Sequence, residues 1–395
     1  MPPLIRTKAL INSAIFLLLP LLALPSVAQE PIKIGMVTTL STSAGAIGQG
    51  MRDAAELALI HLDRKMAGKP VEILYEDDGF KPQLGKQKTD KLIHKEQVDF
   101  MTGYIWSHVL LASYRSVVNS DTFLISANAG PSQIAGKLCH PNFFSASWQN
   151  DQVPMALGEV LNQRGVQSLY IMAPNYAAGK NMVTGLESTF KGKIIGKDMT
   201  KFPGQLDFSA ELAKVRAAKP EALFIFYPGK HGVQFFNQFV QSGLNKDIPL
   251  YSAFTVDSYL LDRIGHQANE SLMTVFWSPD LDTPANLKFV SGFKQRYQRY
   301  PSHYDAQTYD AIMLINSAVK AVDGDLSNKQ KVRQALEAAN FDSVRGDFSF
   351  GNNHFPIQNF YLAKVAKDSA GKFTKKIVST VYENHQDSYA SLCKM

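Results

Sequence analysis

The chain has 395 residues, 45% hydrophobic and 19% charged, with a formal net charge of +6. This is globular composition, too long for one small core, and it predicts two or three domains. No Lys/Arg run or basic helix face accompanies the mild positive charge, so nucleic acid is not expected as a partner.

Arg6 and Lys8 precede a mainly apolar run, Ala9 to Leu24, and Ser26-Val27-Ala28 then offers small residues where a signal peptidase reads. This pattern predicts a secretory signal peptide over residues 1–28, cleaved after Ala28. A membrane anchor is the competing use of such a segment. Pro20, Pro25 and the shortness of the run argue against it. No Cys follows the run to mark lipid attachment, and no later stretch approaches the ~18–20 apolar residues of a membrane span. A free, exported chain beginning at Gln29 is expected. The two cysteines, Cys139 and Cys393, both fall in that chain. An even count in an oxidising compartment suggests one disulfide; two buried thiols are the alternative.

Ile32 to Val37 reads as a strand, Thr38 to Gly50 as a Ser/Thr/Gly-rich loop, and Met51 to Leu62 as a helix with apolar residues at three- and four-residue spacing. The grammar repeats: strands at Val71–Tyr75, Val98–Thr102 and Thr122–Ser126 alternate with helices at Gln83–Glu96 and His108–Val118. It restarts near Trp148. Helices are expected at Gln152–Arg164, Ala178–Lys191, Ser209–Ala218 and Val233–Ser242. Strands are expected at Ser168–Ala173, Ile194–Lys197, Ala222–Phe226, Pro249–Ser252 and Met273–Trp277. Helices at Leu287–Tyr297, Ala306–Ala321 and Lys329–Ala339 follow, then a β-hairpin pairing Gly346–Phe350 with Gln358–Val365. Strand–helix alternation at this pitch means βαβ units and parallel sheets, whose ligands bind beyond the carboxyl ends of the strands.

Enzymatic signatures are missing. Gly45-Ala46-Ile47-Gly48-Gln49-Gly50 has the spacing G-x-x-G-x-G, which lacks the glycine positions of a dinucleotide loop. No nucleophile elbow, phosphate loop or zinc-binding H-E-x-x-H occurs, and the nine histidines are scattered. No catalytic residue, metal or cofactor is expected.

Several features in order resemble the periplasmic binding proteins of the leucine/isoleucine/valine-binding type. They are the opening strand with Leu40-Ser41, then Glu76-Asp77-Asp78 with Pro82, and Gly103…Ser107. Asn175-Tyr176-Ala177-Ala178-Gly179 and Tyr309-Asp310-Ala311 follow. The resemblance covers Ile32 to about Val381. It implies an α/β fold of two doubly wound parallel-sheet lobes joined by three hinge crossings, here near Phe144–Trp148, Phe276–Asp280 and Ser343–Phe348. The implied lobes are residues 29–146 with 279–344, and 147–278 with 345–381, followed by a tail, 382–395. The implied role is a monomeric solute receptor of the periplasm, closing on a small-molecule ligand and delivering it to the membrane permease of an ABC importer. A sensory receptor on the same fold is the second functional class.

The resemblance also points to site residues. Ser107 is expected as a helix N-cap whose hydroxyl and neighbouring amides face a carboxylate. Ala127, Asn128 and Ala129 form a second anion-binding loop, in which Gly130 stands where the amino-acid binders carry a Thr. An acid for a ligand ammonium is expected from the second lobe, but Phe254 and Thr255 stand in that region, with Asp257 as the nearest acid. Asp305 is another acid able to swing in. Ser41, Tyr104, Trp106, Trp148, Tyr176 and Tyr227 complete the expected cleft, and Trp277 is placed at the second crossing. Ala178 leaves room where an aromatic is usual. An aromatic-walled pocket with few charges suits a small, flat carboxylate; a branched-chain amino acid is the alternative.

Overall fold

The computed structural model describes residues 1, 3–4 and 30–395; the signal peptide and its cleavage site lie outside the described residues. The first half of the chain runs β1 (Ile32–Thr38), α1 (Gly45–His61), β2 (Lys65–Met66), β3 (Lys69–Asp77), α2 (Pro82–His94), β4 (Phe100–Gly103), α3 (Ser107–Val118), β5 (Phe123–Ser126), α4 (Ser132–Ala135) and β6 (Phe143–Ser145). These strands form a six-stranded sheet ordered β2-β3-β1-β4-β5-β6, parallel except for the β2–β3 hairpin.

A second series follows: α5 (Gln152–Gln163), β7 (Ser168–Pro174), α6 (Ala177–Thr189), β8 (Lys193–Thr200), α7 (Ser209–Ala218), β9 (Ala222–Ile225), α8 (Lys230–Gln241), β10 (Leu250–Ser252), α9 (Ser258–Ala268) and β11 (Leu272–Val275). Helices α10 (Pro284–Tyr297) and α11 (His303–Ala321) return to pack on α1, and α12 (Lys329–Glu337) packs on α11. The chain then crosses again to add β12 (Ser349–Phe350), β13 (Pro356–Lys367) and β14 (Phe373–His385) to the second sheet. That sheet has eight strands ordered β12-β13-β11-β10-β9-β7-β8, with β14 on β13. It is mixed rather than wholly parallel, because β13 runs antiparallel to β11. The alternation had predicted βαβ units, and those units are present; the long β13–β14 hairpin (β14 was not expected) closes the edge.

Helix α1 begins at Gly45, six residues before its predicted start. The glycines that looked like loop are there for close approach: a β-carbon on Gly48 would lie 2.0 Å from the Thr39 carbonyl oxygen. Helices α4 and α9 were likewise unexpected.

The segments linking the sheets bury polar side chains and satisfy them internally, as a dry interior requires. Arg345 is the knot. It donates through Nε to Asp310 at 3.1 Å, and through its terminal nitrogens to the carbonyls of Ala146 and Ser147 at 2.8 and 2.9 Å. The first and third links and α11 are thereby held at one point. Cys139 and Cys393 are joined in a disulfide, which fastens the C-terminal segment beside α4.

Candidate functional site

The carboxyl ends of the strands in both sheets face each other across a closed cleft. Between them lies a small cavity. The loop after β4 and the start of α3 supply Ile105, Trp106 and Ser107; the loop after β5 supplies Asn128 and Ala129; the first link supplies Trp148 and Asn150. From the second half come Tyr176, Ala178, Met182, Phe226, Pro228 and Phe254, and Tyr304 enters from α11.

A chain of hydrogen bonds spans the cleft beside the cavity. Asn150 Nδ2 donates to Ser107 Oγ at 3.0 Å and to Asn181 Oδ1 at 3.1 Å, and Asn181 Nδ2 donates to Ser132 Oγ at 2.9 Å. Because Ser107 Oγ accepts from Asn150, its own proton is left to donate. Ser107 is the first residue of α3 and Trp106 is the N-cap, with no side-chain cap bond. The expected N-cap role of Ser107 is therefore corrected: its hydroxyl lines the cavity at the positive end of a twelve-residue helix. Trp148 Nε1 is a further donor, buried and without a hydrogen-bond partner.

The walls are aromatic. Trp148 stacks on Phe254 with centroids 4.5 Å apart, and Tyr176 stacks toward Phe226 at 6.2 Å. Trp106 is fixed by its Nε1, which donates to Thr39 Oγ1 at 2.8 Å; Thr39 in turn donates to Asp78 Oδ1 at 2.5 Å. Burial pushes the Tyr176 and Tyr304 phenols far above their ordinary range, so both stay neutral. No charged side chain lines the cavity. The two asparagine oxygens are already engaged: Asn128 Oδ1 accepts from Gln307 at 2.5 Å and Asn150 Oδ1 from the Gly130 amide at 3.2 Å.

Of the expected residues, the structure brings Trp106, Ser107, Asn128, Ala129, Trp148 and Tyr176 together around this cavity, with Ala178 beside them. The others lie elsewhere. Ser41 is exposed and hydrogen-bonds Asp77. Tyr104 is fully buried, with its hydroxyl 2.7 Å from Thr89 under α2. Ala127 is buried at the end of β5, where its amide donates to Gly103. Tyr227 points to the opposite side from Phe226, toward Thr200, and Thr255 Oγ1 accepts from the Tyr227 amide at 2.8 Å. Trp277 is buried against Asn286, away from the cavity. Strand β9 is buried on both faces, so alternation could not tell Phe226 from Tyr227.

Asp257 is also a correction. It is fully buried with its carboxylate against the His303 imidazole, whose ring packs behind Phe254 and Trp148 and whose own pKa burial lowers. Burial opposes its charge, but His303 and Lys375 hold the carboxyl below its usual range. Asp305 is bound by Arg299 at 2.9 Å and caps α11 through the Ser302 amide at 2.7 Å. Gly130 is not a vacant Thr position: a β-carbon there would lie 1.8 Å from the Trp148 carbonyl oxygen. Phe254 was noted beside Thr255 but not as a ring of the wall, and Ile105, Asn150, Met182, Phe226, Pro228 and Tyr304 were missed; only Asn150, in a polar run between two elements, carried a local signal.

A family model described as periplasmic binding protein matches residues 31–372. The chain belongs to the periplasmic binding protein family. This is a family of solute receptors, not of enzymes. Among solved periplasmic binding proteins, an ABC transporter solute-binding protein from R. palustris in complex with benzoate is 28% identical, with a TM-score of 0.87 over 93% of this chain and 100% of that one. An ABC transporter substrate-binding protein from Sphaerobacter thermophilus is 27% identical, with a TM-score of 0.83 over 90% and 98%. A Leu/Ile/Val-binding protein, BraC3, from Rhizobium johnstonii is 20% identical over 216 residues, 53% of this chain and 58% of the relative's length.

Proposed function

We propose that this protein is the periplasmic receptor of an ABC importer, and that its ligand is a small aromatic monocarboxylate. The observation that carries the reading is the charge inventory of the cavity. Its donors are neutral: the Ser107 hydroxyl, the first amides of α3 and Trp148 Nε1. They suit one anion at a helix N-terminus. A zwitterion would bring an ammonium as well, and burying that charge without a partner is costly. Both nearby carboxylates are already partnered within the protein, Asp257 by the His303 imidazole and Asp305 by Arg299. The stacked rings of Trp148, Phe254, Tyr176 and Phe226 favour a flat ligand over a branched aliphatic one.

The benzoate bound by the R. palustris relative is a ligand of this class and supports the same reading. We further propose that residues 29–146 with 279–344 and 147–278 with 345–381 act as two lobes hinged at the three links. The mature chain would act as a monomer and pass its ligand to a membrane permease.

Calorimetry tests the ligand class, comparing benzoate, 4-hydroxybenzoate, a 2-oxo acid, leucine and valine. The expected result is binding of the aromatic acids well ahead of the amino acids. Tighter binding of leucine or valine than of every aromatic acid would overturn the reading.

A further inference from the structure

Outside the cavity, the exposed loop from Lys201 to Asp207, between β8 and α7, turns one side chain inward. Phe202 stacks on Tyr176, with centroids 4.1 Å apart and planes within 10°. It also meets three rings of the opposite half of the molecule: Phe80 at 5.2 Å, His108 at 5.7 Å and Trp106 at 6.3 Å. The five rings form two layers. Trp106 and Tyr176 line the cavity, while Phe80, His108 and Phe202 lie outside them, each partly exposed to solvent.

We infer that Phe202 is the gate of the binding cleft, a residue that controls ligand escape without lining the cavity itself. The inference rests on the proposed aromatic-acid reading for its probe, but not for its geometry. Phe80, Trp106 and His108 ride with the first sheet, and Tyr176 and Phe202 ride with the second. Any separation of the two halves on this side must therefore peel Phe202 from three partners at once. Contacts made only in the closed state stabilise that state and slow its opening. They are absent while the cleft is open, so they leave ligand entry nearly unchanged. Phe202 stands on a loop rather than on a strand and is only partly buried, packed against the core from outside rather than forming part of it.

Stopped-flow kinetics with benzoate tests the gate. Phe202→Ala should raise the dissociation rate on the order of tenfold while the association rate changes less than twofold. Phe202→Leu should fall between, and Phe80→Ala combined with Phe202→Ala should add little to either alone. A thermal melt of each ligand-free variant checks that it folds. An unchanged dissociation rate, or an equal loss in association, would overturn the gate.

Should wild-type protein not bind benzoate, the ligand reading fails by itself. The gate is then read in the ligand-free protein, whose closed fraction these contacts sustain, by acrylamide quenching of Trp106, which is 4% exposed in the closed form. Phe202→Ala should steepen the quenching, and Trp106→Phe in the same background should abolish the gain. Equal quenching with and without Phe202 would overturn the gate independently.

Discussion

Asp257 and His303 pair carboxylate to imidazole across the two halves of the molecule, the acid capping α9 and the imidazole opening α11. Neither is reached by solvent to any useful extent, at 0% and 3% exposure. The pair therefore does two things. It ties the second half to the helix that packs on the first, and it occupies the acid that the second half offers toward a ligand ammonium.

Removing one partner leaves the other as an uncompensated buried charge. His303→Ala should destabilise the protein by about 3–5 kcal/mol, and the double change with Asp257→Ala should cost far less than the sum of the singles. Chemical denaturation of the four proteins of the cycle measures this. Additive losses would show that the two groups are not coupled.

Ser107 contributes a hydroxyl whose lone pair is filled by Asn150, leaving its proton for the ligand. Ser107→Ala should weaken the bound carboxylate by about 1–3 kcal/mol, the range for a hydrogen bond to a charged group. Titration calorimetry of the variant against benzoate reads the loss. Unchanged affinity would mean that the carboxylate is held by the α3 amides and Trp148 alone.

His108 gives the fold a dependence on acid. Burial lowers its pKa to about 4 from the ordinary 6.5. The unfolded chain therefore takes up a proton near pH 6.5 that the folded protein refuses until about pH 4, so stability falls as pH drops through that window. Discounted for its partial exposure, the loss is about 2 kcal/mol. The urea midpoint should fall further between pH 7 and pH 4.5 in wild type than in His108→Gln. Parallel acid profiles for the two proteins would remove His108 as the cause.

The Cys139–Cys393 bridge has a sequence separation of 254 residues. In the chain-entropy account, closing so long a loop disfavours the unfolded state by about 5 kcal/mol, although measured effects are commonly smaller. Non-reducing mass spectrometry of protein from an oxidising compartment should find no free thiol. Replacing both cysteines with serine should lower the unfolding midpoint without altering ligand specificity. Two alkylatable thiols in unreduced protein would count against the bridge.

The sequence alone determined the βαβ grammar, because periodicity is a local property: Phe235, Phe236, Phe239 and Val240 fall at three- and four-residue spacing within one segment. It also singled out Trp106, Ser107, Asn128, Ala129, Trp148 and Tyr176, which the structure gathers around one cavity. Only the tertiary structure decided the rest. Phe226 faces the cavity and Tyr227 does not, because β9 is buried on both faces and its alternation is silent. Gly48 and Gly130 read as loop or vacancy until the backbones of Thr39 and Trp148 come within touching distance. Asp257 reads as a free acid until α11 brings His303 against it, 46 residues later in the chain. Charge pairing and close approach are long-range facts, set by which segments the fold makes neighbours; no run of adjacent residues encodes them.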